Sequence, residues 1–237
     1  MATVKTQQKI LDSFLDLLAE TSYAEVKPAL LAARAGVKMS VLRDCFPSKR
    51  SLVEAFASRI DRAVLDEQAG DMDDQPPRDR LFDVLMTRID TLAPHKGAVG
   101  ALMKTMRSDP MLALEVNPIA VRSQRWMLEA AGIDASGLRG QIIAQGVAVA
   151  FARVIDVWLR EEDEGMPRTM AALDKELDRG EGFVRMLDRA GKLTGLVATA
   201  GDMLRRRSRR ERDWETDDWG NVVPEEAKTD EDGKTVH

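Results

Sequence analysis

Apolar residues recur three and four places apart along most of this chain, and no stretch alternates apolar with polar residues as paired strands do. The first such stripe, Ile10, Leu11, Phe14, Leu17 and Leu18, predicts a helix from Lys5 to Glu20 with Lys9, Asp12, Asp16 and Glu20 outside it. A second, shorter helix carries Val26, Leu30, Leu31 and Ala33 inward and ends at Ala35-Gly36, where glycine takes a left-handed backbone angle without steric cost. Val37, Val41 and Leu42 then return to helical spacing. The third helix, Lys38 to Cys45, so presents Lys38, Met39, Ser40, Arg43 and Asp44 outward. Pro47 stops it, and Ser48 is placed to accept from the free amides of a fourth helix reaching Gln68. That helix packs Leu52, Val53, Phe56, Ile60, Val64 and Leu65 and leaves Arg59 and Arg62 to solvent.

Glycine, acids and paired prolines over 69–77 break the pattern and mark a boundary. Helical spacing resumes at Arg78 and runs to Leu92, with Leu81, Phe82, Leu85, Met86 and Ile89 inward. After the turn Ala93 to Gly97, a short helix holds Val99, Leu102, Met103 and Met106. Asp109-Pro110 reads as an N-cap with proline at the first helical position, opening a helix to Ala131 that Pro118 should kink. From Ser136 a long apolar helix follows, with Gly140, Ala144, Gly146, Ala148 and Ala152 small enough for a second helix to approach closely. Further apolar spacing marks Pro167 to Leu177, Phe183 to Leu187, and Leu193, Leu196, Val197 and Leu204. The expected division is a head over 1–69, a body over 78–204, and a basic, then acidic, disordered tail over 205–237.

The composition agrees with an all-α chain: 237 residues, 5% aromatic, and rich in Ala, Leu, Met and charged residues. The net charge of −5 would argue against a nucleic-acid partner if it were spread evenly. It is not, because residues 1–66 hold ten Lys and Arg against eight Asp and Glu, whereas 211–237 hold three against ten. No apolar signal segment or bilayer-length apolar run is present, so a soluble cytoplasmic protein is expected. The single cysteine, Cys45, cannot form an internal disulfide and reads as a small packing residue or, less simply, a redox sensor.

As a set, Ile10 to Leu18, Tyr23, Ala35-Gly36-Val37, Met39 to Cys45 and Phe46-Pro47-Ser48-Lys49 resemble the N-terminal pattern of the TetR family of bacterial regulators. That resemblance covers roughly the first 65 residues and implies a helix-turn-helix head on a helical ligand-binding and dimerisation body. Three positions depart from the family pattern: Lys38 stands for the turn serine, Ser40 for a glycine, and Arg43 for the tyrosine that usually touches phosphate. The resemblance places Lys38, Met39, Ser40 and Arg43 at a DNA groove, and Thr21 and Lys49 toward phosphates. It also implies a homodimer formed through the last body helices. From Arg78 to about Asp188 the body is similar, more diffusely, to the lipid-binding protein of coenzyme Q synthesis, on Arg80, Leu81, Arg88, Pro94, Trp126 and Trp158. That protein is a TetR-type fold whose last helix touches membrane.

No catalytic grouping stands out. The two histidines, His95 and His237, lack partners at metal-ligand spacing, and there is no phosphate loop, nucleophile elbow or dinucleotide fingerprint, so neither enzyme activity, metal nor cofactor is expected. A lipophilic cavity is expected from Phe82, Met86, Met103, Met106, Trp126, Met127, Phe151 and Trp158, whose adaptable and flat apolar side chains suit an irregular guest. The same residues also serve as ordinary core filler. Arg122, Arg125 and Arg153 are candidates to meet a ligand's polar end, or to pair with Asp156 and Glu129. The run Arg205 to Arg210 is either a solvated helix end or, with Leu193 onward, a contact for an anionic membrane or nucleic acid. Two functions follow: a ligand-responsive repressor binding double-stranded operator DNA as a homodimer, and an accessory lipid-binding protein of ubiquinone biosynthesis.

Overall fold

A computed structural model describes residues 3–67 and 75–182. Every regular element among them is helical: α1 (Val4–Glu20), α2 (Pro28–Ala35), α3 (Met39–Cys45), α4 (Lys49–Glu67), α5 (Pro77–Leu92), α6 (Lys96–Ser108), α7 (Pro110–Ala130) and α8 (Gly137–Trp158). A further helix, α9, occupies 167–182. Phe183 to Leu187, the amphipathic stretch from Leu193, the arginine run and the acidic tail all lie outside the described residues.

The helix ends form where the local chemistry calls for them. Thr3 accepts from the Thr6 amide to open α1, Ser48 from the Ser51 amide at 3.2 Å to open α4, and Asp109 from the Met111 and Leu112 amides at 3.0 and 3.2 Å to open α7. α2 closes on Gly36 at φ 61°, with the Val37 amide returning to the Ala32 carbonyl at 3.0 Å. α2 differs from expectation in phase. Val26 is buried but precedes the helix, which Pro28 opens; the buried face therefore falls on Leu31, Ala32 and Ala35, while Leu30 is 44% exposed and Ala33 faces solvent. Pro118 lies inside α7, which continues through it to Ala130.

Ile10, Phe14, Leu17 and Leu18 of α1 fill the head core together with Leu31, Leu42, Leu52 and Val53. α1 also lies along α6, and α4 along α7, so both helices join the head to the body. The α1–α6 approach is close: a β-carbon on Gly97 would stand 3.1 Å from that of Ala19. In the body α7 packs on α8, and Met127, Leu128, Val154 and Trp158 are buried. Each such side chain contributes about 1.5–3 kcal/mol through burial.

α9 is fastened by charge. Glu161 is buried, and its carboxylate accepts from the Arg168 and Thr169 amides at 2.9 and 3.1 Å, an acid at a helix N-terminus where the peptide dipoles favour it. Arg78 reaches from α5 to Asp174 and Asp178 at 2.6 and 2.7 Å, and these carboxylates hold its guanidinium more firmly protonated than usual.

The tightest backbone approach is at the start of α8. A β-carbon on Gly140 would lie 2.1 Å from the carbonyl carbon of Ala135, a clash with backbone that no rotamer change relieves. Gly140→Ala should therefore act as an overpacking substitution of about 1–3 kcal/mol and lower Tm by roughly 2–12 °C in a thermal melt. An unchanged Tm would show that the turn before α8 shifts freely.

Candidate nucleic-acid interface and effector cavity

The candidate surface is built by a tight turn. Gly36 lets α2 stop and α3 start within three residues, and α3 is anchored by one fully buried side chain, Leu42 at 4% exposure. Lys38, Ser40, Arg43 and Asp44 are exposed beside Met39, itself 50% exposed. The outward face is the one the spacing predicted. Lys9 of α1 adds a cation that the sequence gave no reason to single out: its Nζ lies 3.4 Å from the position of a β-carbon on Gly36, beside the turn that launches α3.

The two residues expected toward phosphates are committed within the protein. Thr21 donates its hydroxyl to the Leu17 carbonyl at 2.8 Å, closing α1. Lys49 turns inward: its Nζ donates to the Tyr23 carbonyl at 2.8 Å and sits 4.4 Å above the Tyr23 ring, and burial draws its ammonium below the usual lysine range. Tyr23 is buried and its phenol is pushed up to about 12, first by burial and then by Glu115. Cys45 is half-buried, and burial, with Asp44 adjacent, raises its thiol, which suits packing rather than thiolate chemistry.

Between α4, α5, α6, α7 and α8 lies a cavity of about 360 Å³. Its walls are mostly apolar: Val53, Phe56 and Ile60 from α4, Leu92 from α5, Val99, Leu102, Met103 and Met106 from α6, Val116 and Ile119 from α7, and Phe151 and Ile155 from α8. Three of the eight side chains expected to line it do so: Met103, Met106 and Phe151. The other five are placed elsewhere. Phe82 and Met86 are half-buried on α5, which faces the cavity with Arg88 and Leu92 instead. Met127 is buried with its sulfur 3.7 Å from Arg88 Nη1, and Trp158 is buried beneath Lys96, whose Nζ stands 5.2 Å from the ring. Trp126 points to solvent at 53% exposure. Large apolar side chains were expected by size, but the cavity takes positions by helix phase, including small ones such as Ala57, Ala113, Ala120, Ala148 and Ala152.

Two lining residues, Arg88 and Ser123, converge on Asp61, which lies behind the wall. Arg88 of α5 forms a short ion pair with Asp61 of α4, and Ser123 of α7 donates its hydroxyl to the same Asp61 oxygen at 2.5 Å. Arg88 is 6% exposed and Asp61 9%. Burial lowers the guanidinium's affinity for its proton, and Asp61 opposes that. Gln124, 3% exposed, lines the cavity beside them with its Oε1 unpaired, as is Arg88 Nε. Elsewhere in the lining Arg107 pairs with Asp156, and Asn117 with Gln145 at 2.9 and 3.1 Å. Arg122 pairs with Glu54 and Arg153 with Glu176, rather than with Glu129 or Asp156. Phe56, in the cavity wall, stacks edge-on against His95 at 5.3 Å; burial, then Arg59, keeps that imidazole less basic than usual. Among the described residues no three His, Cys, Asp or Glu side chains are grouped to hold a metal.

This arrangement of helices is shared with solved structures. A TetR transcriptional regulator from Nitrosomonas europaea superposes at TM-score 0.58 with 22% identity, over 74% of this chain and 97% of that one. The fold is TetR-type. A TetR transcriptional regulator from Rhodococcus sp. RHA1 gives TM-score 0.55 at 22% identity over 76% and 97% of the two chains. The regulator FadR from Bacillus subtilis, solved in complex with stearoyl-CoA, gives 0.50 at 15% identity over 73% and 96%. No family model matches the sequence, and no curated protein does. The TetR-type resemblance of the first 65 residues thus extends, as a fold, through the body, and the likeness to the lipid-binding protein of coenzyme Q synthesis gains no support from these comparisons.

The buried cluster carries a prediction. Arg88→Met leaves the Asp61 carboxylate buried with Ser123 alone and should cost about 3–5 kcal/mol, a Tm loss of roughly 6–20 °C. The double variant Asp61→Leu with Arg88→Met removes both charges and should recover most of that loss in urea denaturation. A double variant no more stable than Arg88→Met would mean the two residues are not coupled.

Proposed function

We propose that the protein is a ligand-responsive transcriptional repressor, without enzyme activity, that binds operator DNA in the cytoplasm as a homodimer. The observation that carries this reading is that one helix serves two sites. α4 packs the head through Leu52 and Val53 and lines the cavity through Val53, Phe56, Ala57 and Ile60. Lys38, Met39, Ser40 and Arg43 then enter a major groove, and a twin head reaches the next groove about 34–36 Å away. Arg43 takes the phosphate contact that Lys49, tied to Tyr23, does not. A small apolar molecule filling the cavity displaces α4 and shifts the pair of heads between a spacing that fits DNA and one that does not, through its different affinity for the two states.

α8 supports the two-fold assembly. Leu138 and Ile142 are 74% and 38% exposed on it, and a β-carbon on Gly146, one turn further along, would meet nothing within 4 Å. Such a small-and-apolar stripe suits a second helix. Ile142→Glu should convert the dimer to a monomer in size-exclusion light scattering with helical circular dichroism intact; a persistent dimer would remove α8 from the interface.

DNA binding is tested by gel shift on the DNA flanking the protein's own gene. A specific band should appear at about 50 mM salt and weaken strongly by about 200 mM, since phosphate contacts release counterions. Arg43→Ala should weaken it by roughly tenfold or more. Absence of any specific band at the lower salt would remove the reading.

A further inference from the structure

The exposed side chains proposed to meet the groove are chemically unlike. Lys38 and Arg43 are cations, Ser40 carries a hydroxyl, and Met39 carries a thioether with neither N–H nor O–H. Met39 is also the only apolar residue of α3 that is exposed, at 50%, for Val41 and Cys45 are half-buried and Leu42 is buried. Its covered part has an apolar setting, since Met39 lines a recess of about 230 Å³ together with Val26, Leu31, Leu42 and Phe46. Its open part is what a partner can touch. In the major groove guanine, cytosine and adenine present hydrogen-bonding atoms alone, whereas thymine adds a 5-methyl group. Pressed against the first three, a thioether would displace water from donors and acceptors and return no strong hydrogen bond, an unfavourable exchange. Against the thymine methyl it buries apolar surface instead. Lys38, Ser40 and Arg43, by contrast, have polar targets on phosphate as well as on bases.

We propose that Met39 is a specificity-determining residue that reads a thymine in each operator half-site, through the 5-methyl group of that base. Arg43, on phosphate, positions the head without selecting a base, and Met39 selects. This inference rests on α3 entering the groove as proposed above, and goes beyond it in naming the base and the group recognised. Burial of one methyl group favours thymine about fourfold per half-site, and so about ten- to twentyfold for a complex of two heads.

The test is a gel shift with the full-length protein at about 50 mM salt, on the DNA flanking its own gene amplified in parallel with dTTP and with dUTP. The two duplexes pair alike and differ only in the thymine methyl groups. The thymine duplex should bind about ten- to twentyfold more tightly. Met39→Gln keeps the length and helix preference of the side chain and should reduce that ratio to about twofold or less. Met39→Leu, apolar and of similar size, should keep it. Both variants should retain helical circular dichroism, because the position is exposed. Arg43→Ala should weaken binding to both duplexes by the same factor, since a phosphate contact carries no base information. Equal binding of the two duplexes, a ratio that survives Met39→Gln, or one that is lost in Met39→Leu would overturn the proposal. A specific band indifferent to the methyl groups would sink only this inference, whereas no specific band on the thymine duplex would sink the repressor reading and this inference with it.

Discussion

The ion pair of Asp61 and Arg88, with Ser123 on the same carboxylate, fixes the relation between three helices that no apolar contact fixes alone. Hydrophobic packing is non-directional, so Val53, Ile60 and Leu85 would tolerate small slides of α4 along its neighbours. A buried carboxylate has no such freedom. It must keep both partners or leave a charge stranded, and each partner comes from a different helix. The pair adds little net stability over an apolar replacement, because desolvation offsets attraction. Its effect is to hold α4 in one register against α5 and α7. Since α4 also anchors the head core, the position of α3 is set in part from inside the body.

The same cluster explains the chemistry of the cavity beside it. A charge pair that closes on itself is electrically mute at a distance, yet it leaves directional atoms unsatisfied at its edge. Arg88 spends Nη1 on Asp61 and Met127 and has Nε left over.

The head was legible because its signals are local. A glycine at the only left-handed position in the turn, a serine three residues before the amide it caps, and a run of outward polar residues each depend on neighbours within four places, so they survive without knowledge of the rest. The phase error on α2 came from counting Val26 as helical when Pro28 starts the helix. Lys49 illustrates the opposite case: Tyr23, which captures it, is 26 residues away, and nothing in the spacing links the two. Asp61 and Arg88 stand 27 apart on different helices and look, in sequence, like any charged residues on amphipathic faces. The cavity was legible as a tendency, from methionine-rich helices, but its lining depends on how five helices are rotated about their axes. Alanines line it and tryptophans do not, a result no ranking by size would give.

How the head is seated bears on how it can move. It is held at two places rather than one: α4 runs into the cavity wall, and α1 lies against α6, where a β-carbon on Gly97 would crowd that of Ala19 at 3.1 Å. α6 also lines the cavity, through Val99, Leu102, Met103 and Met106. On the proposed reading, a guest held between α4 and α6 would bear on both supports of the head, since Phe14, Leu17 and Leu18 tie α1 into the head core. Phe56 links the two supports: it lines the cavity and sets its ring edge-on to His95, at the turn before α6. The coupling needs no long pathway, only a wedge and two handles on one block.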